Sequence, residues 1–240
     1  MTDKIHHRDT LISARQNREM FNRISRRYDL LNIVLSCGLD HYWRKKAVHM
    51  LMPKKGEKIL DIGSGTGDIA IEILRQQPQA NVAGIDPAED MLEIAKQKIL
   101  KRGLQGKIQL GTGDALSLYY PDASYDGIIS AFCIRNVEDR GKAFAEMKRV
   151  IKNKGKVVIL ELTRPEIGFL KIGHRFFNRY MVPLIGRIFS KGDAYRYLVD
   201  SIEDFPDTNI MIKKMQEAGW KNIRVIPVSM GIVSIFIAQA

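Results

Sequence analysis

A chain of 240 residues, 45% of them apolar, is long enough to close one large core. No apolar run approaches a membrane span and no N-terminal stretch resembles a signal peptide, so a cytoplasmic protein is expected, with attachment to the inner face of a membrane left open. Cys37 and Cys133 lack any partner spacing, which argues against a disulfide framework and a zinc site, and the net charge of +11 invites an anionic partner.

Residues 1–12 are polar, and His6 and His7 read as part of a solvated tail rather than a metal site. From Ser13 to Tyr28 the residues Met20, Phe21, Ile24 and Tyr28 recur at helical spacing among Arg15, Arg18, Arg23, Arg26 and Arg27. A second helix starts near Asp40 and carries Trp43 to Met52 up to Pro53. Residues 1–52 are therefore expected to cap whatever crevice follows. After a turn at Pro53–Gly56, Lys58–Ile62 is an apolar strand and Ile69–Gln77 a helix. Asn81–Ile85 is the second strand, and Ala88–Lys101 is a helix on Met91, Leu92, Ala95 and Ile99 that stops at Gly103. Ile108–Leu110 and Tyr125–Ala131 are the third and fourth strands, the latter led by a turn at Pro121 and Asp122. A helix over Ala143–Ile151 closes in a turn at Asn153-Lys154-Gly155, before a fifth strand at Lys156–Glu161. Thr208–Ala218 is the last long helix, with Gly219 as its stop, and Asn222–Val228 pairs with Ile232–Ala238 as a closing hairpin. The expected fold class is α/β: one domain with a seven-stranded, mostly parallel sheet and helices on both faces. Residues 53–161 form its ligand-binding part and 201–240 its C-terminal helix and hairpin.

Between them, residues 162–200 form a basic amphipathic insertion. Phe169, Ile172, Phe176, Phe177 and Tyr180 make an apolar helical stripe, while Lys171, Arg175 and Arg179 repeat every four residues on another face. A helix packed on the domain explains this pattern. So does a lid that meets a lipid surface or a long apolar substrate, where each cation near an anionic bilayer contributes about 1 kcal/mol.

The organising stretch is Leu60 to Asp68, LDIGSGTGD. Gly63, Gly65 and Gly67 between a strand and a helix allow positive φ and close approach of a ligand to the backbone. Asp86 ends the second strand 19 residues beyond Gly67, about where a doubly wound fold places the carboxylate that binds ribose hydroxyls. A dinucleotide fingerprint would place its third glycine where this chain has Asp68, whose charge would repel a pyrophosphate. The ligand is thus more consistent with a nucleoside lacking phosphates. With Gly113-Asp114-Ala115 ahead of the fourth strand, the set resembles class I methyltransferases, and that resemblance implies S-adenosyl-L-methionine as cofactor.

Further stretches narrow the resemblance. Phe21-Asn22-Arg23-Ile24 with Tyr28-Asp29-Leu30-Leu31-Asn32, Ile134-Arg135-Asn136-Val137 with Asp139-Arg140, Ser201-Ile202 with Phe205-Pro206-Asp207, and Met230-Gly231-Ile232-Val233 make the chain similar to the ubiquinone/menaquinone biosynthesis C-methyltransferases from about residue 15 onward. Asp114 stands where relatives often have Asn, and Ala131 where some have Ser. The resemblance implies methylation of a prenylated quinol ring, naphthoquinol or benzoquinol, at a membrane surface and without nucleic acid; a homo-oligomer is compatible with it. It implies that Asp61, Gly63, Gly65, Thr66, Gly67, Asp86, Asp114 and Ala115 surround the cofactor, that Arg135 and Asn136 bind and stabilise the quinol oxygen, and that Tyr28, Arg196 and Tyr197 line the substrate cavity. Core packing explains the tyrosines equally well, and Asp139 also reads as a helix N-cap. No His or Glu is obviously placed as a base. Competing readings are an RNA or other small-molecule methyltransferase, which lacks here a Pro-Cys or an Asn/Asp-Pro-Pro-aromatic signature, and a non-catalytic membrane-associated binding module.

Overall fold

The computed structural model describes residues 13–164 and 193–240. The basic and apolar stripes of the insertion and the histidines at positions 6 and 7 lie outside the described residues, as does the side chain of Arg196. Helix α1 (Ala14–Ser36) begins with a capping box, in which the Ser13 hydroxyl accepts from the Gln16 amide and the Gln16 side chain accepts from the Ser13 amide. It runs past the expected end at Tyr28. Cys37 and Gly38, both at positive φ, stop it, and α2 (Leu39–Leu51) follows at once.

The alternating part comprises β1 (Lys58–Ile62), α3 (Asp68–Gln76), β2 (Asn81–Asp86), α4 (Glu89–Lys101), β3 (Ile108–Thr112), β4 (Tyr125–Ala131), α5 (Arg140–Val150) and β5 (Ile151–Leu162). After the undescribed stretch come α6 (Asp193–Glu203), α7 (Thr208–Glu217), β6 (Lys221–Val228) and β7 (Val233–Gln239). The strand order is β3-β2-β1-β4-β5-β7-β6, and β7 alone among these neighbours runs antiparallel. The expected closing hairpin exists, but β7 is inserted between its partner and β5.

Strand alternation separates two buried layers. Ile59, Ile129, Val158 and Ile235 pack with Trp43 and Val48 of α2 and Ile73 of α3. Leu60, Ile128, Val157 and Phe236 pack with Phe144 and Met147 of α5 and Met211 of α7. The sheet order reverses between β1 and β4, which opens a crevice at their carboxyl ends.

One expectation needs correction. Asn153-Lys154-Gly155 does not end a helix ahead of a new strand; it is a bulge within β5. Partners step from Ile151 to Lys156 on β5 while β4 steps only from Tyr125 to Gly127. Lys154 adopts φ +66° there, and a Cβ on Gly155 would lie 2.6 Å from Ile151 Cγ1.

Candidate active site

The glycine turn is held from both sides. The amides of Gly63 and Ser64 both donate to the Ile85 carbonyl at 2.9 Å. The Gly65 amide donates to one oxygen of Asp86 at 2.9 Å, and the Ala88 amide to the other at 2.8 Å. Burial raises the Asp86 carboxyl above its ordinary value, against those two amides. At Gly63, with φ +75°, a Cβ would lie 2.5 Å from Cys133 Sγ, so the loops after β1 and β4 meet in direct contact. Burial pushes that thiol up to about 12, which makes it a packing group rather than a nucleophile.

Asp61, at the end of β1, is fully buried. Its Oδ2 accepts from the Ser64 hydroxyl at 2.9 Å, whereas Oδ1 has no partner. Burial raises its carboxyl to about 7, against the Ser64 hydrogen bond. An ionisable oxygen left bare in the interior is costly unless a ligand completes it.

A cavity of about 310 Å³ opens at the strand ends. Gly63, Gly65 and Asp86 line it, with Asp114 and Ala115 after β3, and Phe132, Cys133 and Asn136 after β4. Helix α1 closes it with Asn17, Phe21 and Tyr28, which share one helical face. The structure thus brings together five of the eight expected cofactor residues, together with Tyr28 and Asn136. Asp114 shapes its own turn, accepting from the Leu116 amide at 2.9 Å.

The other expected residues stand elsewhere. Thr66 faces α1, donating to Asp29 at 2.6 Å and accepting from Lys98 at 3.0 Å. Lys98 also binds Asp29 at 2.5 Å and Asp68 at 2.7 Å. The carboxylate of Asp68 therefore belongs to a clip that fastens α1 over the glycine turn. Gly67 lies against α4, where a Cβ would come within 3.0 Å of Ala95 Cβ; its lack of a side chain serves helix packing.

Arg135 lies away from the cavity lining. It is 4% exposed and absent from the cavity wall. Its guanidinium donates to Glu161 at 2.7 Å and to the Phe132 carbonyl at 2.6 Å, while its amide donates to Glu161 at 3.0 Å. The short 3₁₀ turn Ile134–Asn136 sends neighbouring side chains to opposite sides, Arg135 inward and Asn136 toward the cavity. Tyr197 of α6 is also behind the wall, with its hydroxyl donating to Asn136 Oδ1 at 3.0 Å. Asp139 is an N-cap, accepting from the Lys142 amide at 2.9 Å. Sequence reasoning missed Glu161, Asn17 and Lys98. A charged residue at the end of the apolar run Val157–Leu160 was a usable signal for Glu161.

A strand-glycine turn-helix unit beside an acidic second strand, at the switch point of a 3-2-1-4-5-7-6 sheet, defines the fold of the class I S-adenosylmethionine-dependent methyltransferases. Solved structures agree on the fold. A possible histamine N-methyltransferase from Thermotoga maritima matches with TM-score 0.67 at 18% identity, over 92% of this chain and 98% of that one. Phosphoethanolamine N-methyltransferase 2 from Haemonchus contortus, in complex with S-adenosyl-L-methionine, matches with TM-score 0.62 at 16% identity, over 82% and 51%. The chain belongs to the ubiE/COQ5 methyltransferase family, whose model matches residues 10–240. It is 38% identical over 222 residues to a ubiquinone/menaquinone biosynthesis C-methyltransferase of Geotalea daltonii, covering 92% of this chain and 94% of that relative. It is 35% identical over 226 residues to a demethylmenaquinone methyltransferase of Bacteroides fragilis, covering 94% and 92%.

Proposed function

We propose that this protein transfers a methyl group from S-adenosyl-L-methionine to a ring carbon of a prenylated quinol, as demethylmenaquinol or a methoxy-polyprenyl-benzoquinol. The observation that carries the reading is one cavity lined at once by the nucleoside-type elements Gly65 and Asp86 and by Asn136 amid the aromatic side chains of Phe21, Tyr28 and Phe132. The names of the quinone-pathway relatives support the substrate class.

The residues present fit the cofactor. Asp61 is not itself part of the cavity wall, yet its buried Oδ1 has no protein partner and suits a cationic ammonium. Asp86, which does line the cavity, keeps lone pairs for ribose hydroxyls beyond its two amide bonds. Gly63, Gly65, Asp114 and Ala115 would wall the nucleoside, while Thr66 and Gly67 would act by shaping the turn. When bound, S-adenosylmethionine supplies an electrophilic methyl on a sulfonium, leaving as S-adenosylhomocysteine while the quinol carbon exchanges a proton for the methyl. The enzyme's main task is alignment, which supplies on the order of 7–11 kcal/mol. Asn136 offers its amide to the quinol oxygen, and Arg135 with Glu161 holds the turn that carries it. A prenylated substrate resides in a bilayer, so work at a membrane surface belongs to the same proposal, and the net charge of +11 favours it. Among the described residues no helix is long and apolar enough to cross a membrane.

The test is a reconstitution of purified protein with S-adenosylmethionine and a chemically reduced demethylmenaquinone in detergent. The expected product carries a new ring methyl, with S-adenosylhomocysteine in equal amount. Methylation of RNA but not of any quinol would overturn the substrate class.

A further inference from the structure

Three segments far apart in the chain meet at one phenol. Asn17 of α1 donates through Nδ2 to the Tyr197 hydroxyl at 2.8 Å, and that hydroxyl donates to Asn136 Oδ1 at 3.0 Å. A phenolic hydroxyl has one proton to give, so accepting from Asn17 commits that proton to Asn136. The carboxamide oxygen of Asn136 is thereby occupied. Its Nδ2 makes one long contact, 3.4 Å, to the Phe132 carbonyl, an acceptor Arg135 already takes at 2.6 Å. The loosely held N–H side of Asn136 is therefore the one left to meet a ligand in the cavity that this residue lines.

We infer that Tyr197 and Asn17 are positioning residues that lock the Asn136 amide as a hydrogen-bond donor to the quinol oxygen, so that the bound quinol loses its proton more readily. This inference rests on the reaction proposed above. A free amide could present its carbonyl oxygen instead, which would repel a developing phenolate. Locking it removes that alternative and pre-arranges the dipole before the charge appears. The lock also ties separate elements together, since Asn17 comes from the helix over the cavity and Tyr197 from α6.

The environment keeps the lock intact across the working range. Burial pushes the Tyr197 phenol up to about 12, against the nearby Arg135 and Arg140, so it remains a donor. The charged and titratable groups that face it are Arg135, Arg140, Glu161 and Cys133; Glu161 is paired with Arg135, and Arg140 is fixed to the carbonyls of Ile134 and Arg135. The charged residues that line the cavity itself are Arg18 of α1, Asp86 at the end of β2, Asp114 after β3, and Glu138, two residues beyond Asn136.

The experiment compares pH–rate profiles of the wild-type protein, Tyr197→Phe and Asn17→Leu on a reduced, short-chain demethylmenaquinol. The active form of the quinol is its phenolate, so the wild-type rate climbs with pH and levels off. In Tyr197→Phe the climb is displaced upward by about one pH unit, a tenfold loss at low pH that largely disappears at high pH, while affinity for S-adenosylmethionine by calorimetry stays within about twofold. Asn17→Leu shifts the climb in the same direction by less. A loss of rate equal at every pH in both variants would overturn the inference and leave Tyr197 as packing, and so would an unchanged profile. Absence of quinol methylation by the wild-type protein would instead overturn the reaction on which the inference rests.

Discussion

Replacing Asp61 by Asn separates stability from cofactor binding. In the ligand-free protein burial moves this carboxyl from 3.8 to about 7. The native state therefore holds a proton that the unfolded chain has already released, and between those pH values folding stability falls as pH rises, by up to about 1.4 kcal/mol per pH unit. The full span amounts to about 4 kcal/mol lost above the folded-state value. Asparagine removes that dependence. Its oxygen can still accept from Ser64, but its amide N–H would occupy the place of the unpartnered Oδ1, which costs about 1–3 kcal/mol. At pH 8 the ligand-free variant should thus be more stable than wild type by about 1–3 kcal/mol, an advantage that shrinks on acidification and reverses between about pH 4.5 and 6. Urea unfolding at a series of pH values, without cofactor, measures it. The same substitution should weaken S-adenosylmethionine binding at least tenfold, because the cationic ammonium loses its counter-charge. A stability difference that does not change between pH 5 and 8 would refute the reasoning, as would undiminished cofactor affinity.

Asp86→Ala removes the acceptor of the Gly65 and Ala88 amides and the ribose ligand together, and each bond to a charged acceptor is worth about 1.5–3 kcal/mol, so calorimetry should show S-adenosylmethionine affinity at least tenfold lower. Arg135→Ala strands the Glu161 carboxylate in the interior and should cost about 3–5 kcal/mol in urea unfolding. A normal unfolding midpoint with collapsed turnover would return Arg135 to the reacting centre. Lys98→Ala breaks the clip between Asp29 and Asp68, so trypsin should cut the arginine-rich α1 faster, with protection restored by S-adenosylmethionine. Unchanged cleavage would show that other contacts hold that helix.

The strands, the glycine turn and the acid that answers it were legible in the sequence because they are local. Apolar runs of five or six residues, glycines where φ must be positive, and an acid a fixed distance downstream need no knowledge of distant partners. The closing pair of strands was equally readable, since β6 and β7 are adjacent in the chain. That β7 enters between β6 and β5 was settled only by tertiary pairing, because strand order depends on which edge a distant segment reaches. The same division runs through the site. Arg135 and Asn136 are consecutive and both polar, and nothing local says which faces the ligand. Glu161, far along the chain at the end of β5, captures Arg135 and leaves the cavity to Asn136. The sequence presents Asp68 only as a carboxylate at a helix start; its partner Lys98 comes from another helix, so its service to the α1 clip was invisible. Backbone conformation and burial pattern follow from neighbours in the chain. The partner that a buried charge finds follows from the fold, because the cost of leaving it unpaired is met only where distant elements come together.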